Sequence, residues 1–244
     1  MSPRGPMIPP PRRWAPTALA LLAALAVVTA GCAAGKGTEV SGPRLPDLVE
    51  VSGAGCRIDG HGVGFVVEDG LVLTVAHAVT GSDEVSVTSP TAVLSGRVVL
   101  FDPLRDVALV SVPDLGLTPV VLSGAEVPDV AGVALPRDPA HPESPQLDPD
   151  AVPHLAPARL LRLIDANTTG IYRRRDVHRE MLDIDFDASP GDSGAPVLDP
   201  DGRVVGMVQS VVEGGGRSLA LRSTELVRSL GDPRSPVGTT ECLR

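Results

Sequence analysis

The stretch that decides the fold is Pro190-Gly191-Asp192-Ser193-Gly194-Ala195-Pro196, which runs into Val197-Leu198 and then, past Asp199-Pro200-Asp201-Gly202, into Val204-Val205-Gly206-Met207-Val208-Gln209-Ser210-Val211. Pro, Gly and Asp around a single Ser make a turn. The Val-rich runs beyond it have the length and β-branched content of strands. Ser193 therefore sits in a strand–turn–strand setting. Taken alone, Gly-Asp-Ser-Gly is no more than a β-turn.

Further upstream, two more stretches change that reading. Leu71-Val72-Leu73-Thr74-Val75 leads into Ala76-His77-Ala78-Val79, and Arg105-Asp106 opens the run Val107-Ala108-Leu109-Val110. A histidine after an apolar strand and an aspartate at a turn are each unremarkable. In the order His77, Asp106, Ser193 they supply the three groups that nucleophilic acyl transfer needs. A serine hydroxyl is a poor nucleophile at neutral pH until an imidazole takes its proton. His77 is the candidate base, and afterwards the acid that protonates the leaving amine. Asp106 would hold the imidazole in one tautomer and stabilise the imidazolium. Gly191 lets the backbone turn so that its N–H and that of Ser193 converge as an oxyanion hole, donors often worth ~3–4 kcal/mol each in the transition state.

Elsewhere the chain is built of short, Val-rich runs at 48–51, 62–67, 71–75, 85–88, 96–101, 107–112, 130–135, 159–164, 181–186, 195–198, 204–211 and 218–221. Such spacing predicts an all-β sandwich or a pair of barrels. One helix is expected over 223–230, opening at Ser223-Thr224-Glu225, with Leu226, Val227 and Leu230 on one face and Gly231 and Pro233 ending it. Eight prolines between 128 and 157 make 139–153 a long surface loop. Phe, Trp and Tyr total five, so the core has to be aliphatic. The net charge of −9 argues against nucleic acid as a partner, which demands clustered cations. Twenty Arg against the single Lys36 reads as GC-rich coding bias.

The Ala76-His77 pair, the Asp106-Val107-Ala108-Leu109 strand and the Gly191-Asp192-Ser193-Gly194-Ala195-Pro196 turn together resemble the chymotrypsin clan of serine proteases, in particular its bacterial HtrA-like and MarP-like branch. The resemblance covers about 48–230. It implies two six-stranded antiparallel β-barrels, about 47–113 and 120–222, followed by the helix, and a serine endopeptidase that acts on protein or peptide without a cofactor or metal. An α/β-hydrolase is excluded by chain order, because there the serine comes first and sits on a strand-to-helix elbow. Val63 and Ala195 depart from the Ser and Gly usual at their positions. Arg57-Ile58-Asp59-Gly60 faintly resembles an activation sequence but lies too close to His77 for that use. Asp192, if buried, needs a cation or several donors. An arginine is expected in place of the N-terminal amine of trypsin-like enzymes, or no cation at all. A catalytically latent relative used as a binding or chaperone-like module is the alternative, and an esterase on the same fold is a third.

By the same resemblance, Asp187 occupies the base of the primary specificity pocket and would favour Arg or Lys. Against this, Asp183, Asp185 and Asp187 alternate with Ile184 and Phe186, the pattern of a solvated strand face. Gln209, Ser210 and Val211 match the strand that lines the pocket and pairs with substrate, and Val211 would narrow it. His61, His141, His154 and His178 read as surface residues, and Arg173-Arg174-Arg175 as an exposed hairpin tip.

The N-terminus is a targeting segment. Arg4, Arg12 and Arg13 precede an apolar stretch over 15–30, the layout of a signal peptide. Thr29-Ala30-Gly31-Cys32 resembles the bacterial lipoprotein cleavage site, so Cys32 is the candidate lipidated residue and 32–46 a tether. The alternative is a plain signal peptide. Three of the 21 basic and none of the 30 acidic residues lie within 1–31, so cleavage would leave a net charge of −12. The protein is then expected in the cell envelope, anchored on the outer side of the cytoplasmic membrane, or else secreted. Cys56 and Cys242 remain as a candidate disulfide in an oxidising compartment, with two free thiols as the alternative. The tail, 233–244, is too short for a PDZ domain. Oligomeric state is not legible.

Overall fold

The computed structural model describes residues 43–55, 60–82, 84–124, 129–136, 152–234, 238–239 and 241–242. The leader, Cys32 and most of the tether, Cys56, Arg57-Ile58, His141 and most of the proline-rich loop lie outside the described residues.

In the first half, β1 (Leu48–Gly53), β2 (Gly60–Glu68), β3 (Leu71–Thr74), β4 (Glu84–Thr88), β5 (Val93–Asp102) and β6 (Val107–Ser111) close an antiparallel barrel in the order β1-β2-β3-β6-β5-β4. Closure removes the unpaired strand edges. Val49, Val51, Phe65, Leu73, Val87 and Leu109 are fully buried inside. Each such side chain contributes about 1.5–3 kcal/mol by leaving water, which is how a chain so poor in aromatics sustains a core.

The second half consists of β7 (Gly132–Leu135), β8 (His154–Pro157), β9 (Leu160–Thr169), β10 (Asp176–Ile184), β11 (Pro196–Leu198), β12 (Val204–Val211) and β13 (Ser218–Arg222). They form one antiparallel sheet, β8-β7-β11-β12-β13-β10-β9. Among the described residues this half thus carries seven strands, not the six expected. The added strand is β8, a half-buried edge strand without apolar alternation whose Pro157 marks its end. Proline is tolerated at such an edge and hides the strand from a pattern search.

The helix α1 spans Ser223–Leu230, as expected, but its buried face is not the apolar one. Leu226 is buried with Ser223, Glu225 and Ser229, while Val227 is 51% exposed. Polar contacts to the β5–β6 turn explain this. Glu225 accepts from Arg105 Nε at 3.0 Å and from Arg228 Nη1 at 2.8 Å. Asp102 accepts from Arg105 Nη1 at 3.0 Å and from Ser229 Oγ at 3.1 Å. Burial works against the Arg105 charge, but Asp102 and Glu225 outweigh it and raise its pKa. The turn that carries Asp106 is thereby tied to the helix of the second half. The tail returns to the first barrel, where Thr239 bonds Gly81 and Ser82.

Candidate active site

His77 lies in a 3-10 turn, Ala76–Val79, directly after β3. Ala76, Ala78 and Val79 are buried in the barrel wall, so the turn is anchored by its small apolar residues and leaves the imidazole 28% exposed. Asp106 comes from the β5–β6 turn and is buried. Its two carboxylate oxygens grip one residue: the His77 backbone N–H donates to Oδ1 at 2.9 Å, and His77 Nδ1 lies 2.8 Å from Oδ2. A carboxylate held at both oxygens cannot swing, and it keeps the proton on Nδ1, leaving Nε2 as the basic nitrogen. Burial pushes the His77 pKa down, but the charge and hydrogen bond of Asp106 together push harder, so it stands above 6.5.

Ser193 sits on the turn between β10 and β11. Gly191 (φ 97°) and Gly194 (φ 93°) bracket it in conformations closed to L side chains. Within the turn the Asp192 N–H donates to the Ser189 carbonyl at 3.0 Å, and the Ser189 N–H donates back to Asp192 Oδ2 at 2.8 Å. Asp192 is fully buried, and this backbone N–H is one of the donors its charge requires. Among the described residues neither the Gly191 nor the Ser193 N–H donates to a protein carbonyl, the condition for both to serve an oxyanion. The turn is clipped to the first barrel: the Val63 N–H donates to the Ser193 carbonyl at 2.7 Å, and Thr74 Oγ1 donates to the Val63 carbonyl at 2.8 Å. Val63 therefore serves through its backbone while its side chain is buried in the core, and Ala195 is likewise buried. Neither departure from the family pattern points into the cleft.

The residues expected to line a specificity pocket divide. Ser210 and Val211 are exposed at the end of β12. Gln209 is buried, and its side chain bonds the Arg105 and Asp106 carbonyls at 2.7 and 3.1 Å. It lines the cavity beside His77 and at the same time supports the aspartate. Asp187 is exposed, and its Oδ1 accepts the Gly216 N–H at 2.9 Å. The solvated acidic face does not hold as a whole. On β10 both faces are covered over 181–184, so Asp183 lies on a buried stretch where Asp185 and Asp187 do not. It is fully buried between Arg162 Nε, at 2.8 Å, and Arg217. Asp185 stays exposed and pairs with Arg159 at 2.8 Å. Of the other histidines, His61 and His178 are surface residues paired with Glu50 and Asp165. His154 is not one of them: it is half-buried on β8, with Nδ1 enclosed. Arg173, Arg174 and Arg175 form the exposed hairpin tip expected of them.

A cavity of about 350 Å³ opens beside His77 and Asp106, lined among others by Arg179, Met181, Gln209 and Ser210. The sequence reading missed Arg179. Its only signal was an Arg two residues before the apolar pair Met181-Leu182.

A closed barrel carrying a histidine–aspartate pair, with a second sheet that carries a Gly-Asp-Ser-Gly turn between β10 and β11, has the layout of the chymotrypsin-type double-barrel fold. A trypsin-like peptidase domain model matches residues 62–207. The serine protease Rv3671c of Mycobacterium tuberculosis is 30% identical over 187 residues, covering 75% of this chain and 45% of that protein. The putative serine protease HhoB of Synechocystis is 30% identical over 186 residues, covering 70% of this chain and 40% of that protein. The crystal structure of the Rv3671c protease in its active form aligns with a TM-score of 0.70 at 29% identity, covering 82% of this chain and 86% of that one. Its inactive form gives 0.62 at 28% identity, covering 76% of this chain and 87% of that one. The chain belongs to the trypsin-like peptidase domain family. It spans less than half the length of the curated relatives it matches.

Proposed function

We propose that the chain is an exported serine endopeptidase that cleaves peptide bonds through an acyl-enzyme, with His77, Asp106 and Ser193 as its triad. The observation that carries this is the two-point grip of Asp106 on His77, beside a serine turn whose Gly191 and Ser193 N–H groups are uncommitted among the described residues. In the first step Ser193 Oγ attacks the carbonyl carbon while its proton passes to His77 Nε2. The two N–H groups take up the charge that develops on the carbonyl oxygen. The imidazolium, held by Asp106, then protonates the departing amine, and water releases the acyl group by the same steps in reverse.

The substrate is an extended peptide. β11 covers β12 only as far as Met207 and Val208, so the edge formed by Gln209, Ser210 and Val211 is open on that side, as strand addition requires. Asp187 is the candidate carboxylate for an Arg or Lys side chain. Its exposure and its open Oδ2 favour this reading, while its bond to Gly216 favours a turn cap. Loss of an Arg/Lys preference in Asp187→Ala decides for the first.

For location, we propose a signal peptide over 1–31, lipidation at Cys32, a tether over 32–46, a protease domain over 47–232 and a tail to 244. Export fits the company of a probable periplasmic DegP-like endoprotease from Halomonas elongata, 26% identical over 162 residues. A Cys56–Cys242 disulfide is supported by the disulfide-bonded state of Cys242 and by its Sγ lying 3.9 Å from the carbonyl of Gly55, the neighbour of Cys56.

Fluorophosphonate labelling across pH 5–8 tests the activity. Labelling of the wild type that vanishes in Ser193→Ala and falls steeply in His77→Ala is expected. A folded but unlabelled wild type would establish the latent binding module instead.

A further inference from the structure

The grip of Asp106 on His77 raises the question of what holds Asp106. It lies at φ 58°, a left-handed conformation that side chains with a Cβ adopt reluctantly, though Asp less so than most. Gln209 reaches it from β12 across the seam between the two halves. Its Nε2 donates to the carbonyls of Arg105 and Asp106 at 2.7 and 3.1 Å, the two peptide groups flanking the left-handed residue. Its Oε1 accepts from Arg179 Nη1 at 3.2 Å. An amide has a donor end and an acceptor end and can flip, whereas a guanidinium only donates. Arg179 on β10 therefore holds the acceptor end and commits the donor end to the two carbonyls.

Arg179 is costly as a purely structural residue. It is 8% exposed, and its Nε is enclosed with no hydrogen-bond partner. Burial pulls its pKa down against the acids around it. The charged groups facing this cluster are Asp102, Arg105 and Asp106 on the β5–β6 turn, His77 on the 3-10 turn, Glu225 on α1, and Arg173 across the shared cavity.

We infer that Gln209 is the positioning residue of the triad aspartate and that Arg179 is its anchor, so that the second sheet sets the geometry of a histidine–aspartate pair housed in the first barrel. The inference rests on the triad reading above. The hydrogen bonds of Gln209 go to Arg179, Arg105 and Asp106 and not to His77, so the pair acts on the imidazole by way of Asp106.

The test is the second-order rate of fluorophosphonate labelling against pH, per folded molecule, for wild type, Gln209→Leu, Arg179→Met and the double variant. Gln209→Leu is expected to slow labelling roughly ten-fold, the scale on which a misplaced catalytic group acts. Its acid limb is expected to move to lower pH, because a loosened Asp106 raises the imidazole less. Arg179→Met should shift the limb the same way, and the double variant should be no slower than Gln209→Leu within about two-fold, since the two act in series. If either protein folds poorly, the downfield Nδ1–H resonance of His77, recorded on the folded fraction, is expected to move upfield or broaden. An acid limb that stays in place, an unmoved resonance, or additive single effects would overturn the inference while leaving the triad intact. A wild type not labelled at Ser193 would remove the triad reading and this inference with it.

Discussion

Gly194→Ala is the sharpest probe of how the nucleophile turn is mounted. A Cβ built at this position would lie 2.0 Å from the Val63 carbonyl oxygen and 3.2 Å from Thr74 Oγ1. The first is backbone and cannot rotate away. Either Gly194 leaves φ 93°, which unwinds the serine turn, or β2 retreats. A side chain held in such a conformation costs about 1–3 kcal/mol. Retreat of β2 breaks the Thr74–Val63 and Val63–Ser193 bonds, each left unsatisfied in a buried setting at about 1–3 kcal/mol. Strain plus the two broken bonds comes to about 3–9 kcal/mol, a large share of the ~5–15 kcal/mol that keeps a typical domain folded. At about 2–4 °C per kcal/mol for a domain of this size, Tm should fall by at least about 6 °C. The assay is thermal unfolding by circular dichroism, paired with fluorophosphonate labelling well below the transition. Gly124→Ala serves as the control, because nothing lies within 4 Å of its Cβ, and its Tm should stay within about a degree or two. A Gly194→Ala protein that melts with the wild type and labels at the same rate would refute the reasoning.

His77 should show opposite pH trends in activity and stability. With its pKa raised above 6.5 by Asp106, the acid limb of kcat/KM should have its midpoint above 6.5, and a midpoint below that value contradicts the grip. The stabilisation from the charged pair is complete below pH 6.5 and lost as pH rises through the folded pKa, so the gap in unfolding free energy between wild type and His77→Asn should shrink over that range. Asp183 runs the other way. Burial raises its pKa, but Arg217 and Arg162 outweigh this and leave it lowered from 3.8. Its contribution is present above 3.8 and lost as pH falls through the folded value. Asp183→Asn should cost about 1–2 kcal/mol at pH 7 in urea unfolding, discounted because both arginines are partly exposed, and the cost should shrink as pH falls below 3.8. Glu225→Gln should lower Tm and slow labelling together, because it loosens α1 from the turn that carries Asp106. A loss of stability with unchanged labelling of the folded protein would show that the helix does not brace the site.

Much of this molecule is legible in its sequence, for a local reason. His77, Asp106 and Ser193 each stand in a short stretch whose composition dictates the local backbone: an apolar strand closing on small residues, an aspartate opening a Val-rich run, a serine between glycines. Alternation over 85–88 and the β-branched content of 204–211 locate strands without reference to partners. The aliphatic composition likewise settles what the core is made of, because no other bulk is available.

What composition and spacing could not reach depends on neighbours far along the chain. β8 is a strand only because β7 lends it an edge, and its proline disguises it. Asp183 looks like Asp185 and Asp187 in sequence, but Arg162 from β9 and Arg217 from before β13 close over it and leave it buried. Helical periodicity places Val227 on the buried face, yet the ion pair of Glu225 with Arg105 and the hydrogen bond from Ser229 to Asp102 bury a polar edge of α1 and leave Val227 facing water. Gln209, legible only as part of a substrate-lining strand, is drawn beneath Asp106 by two carbonyls that come from the other half of the protein. Local backbone preference is encoded within a few residues. The orientation of a buried polar side chain is chosen by whichever donors and acceptors the folded chain brings within reach of it.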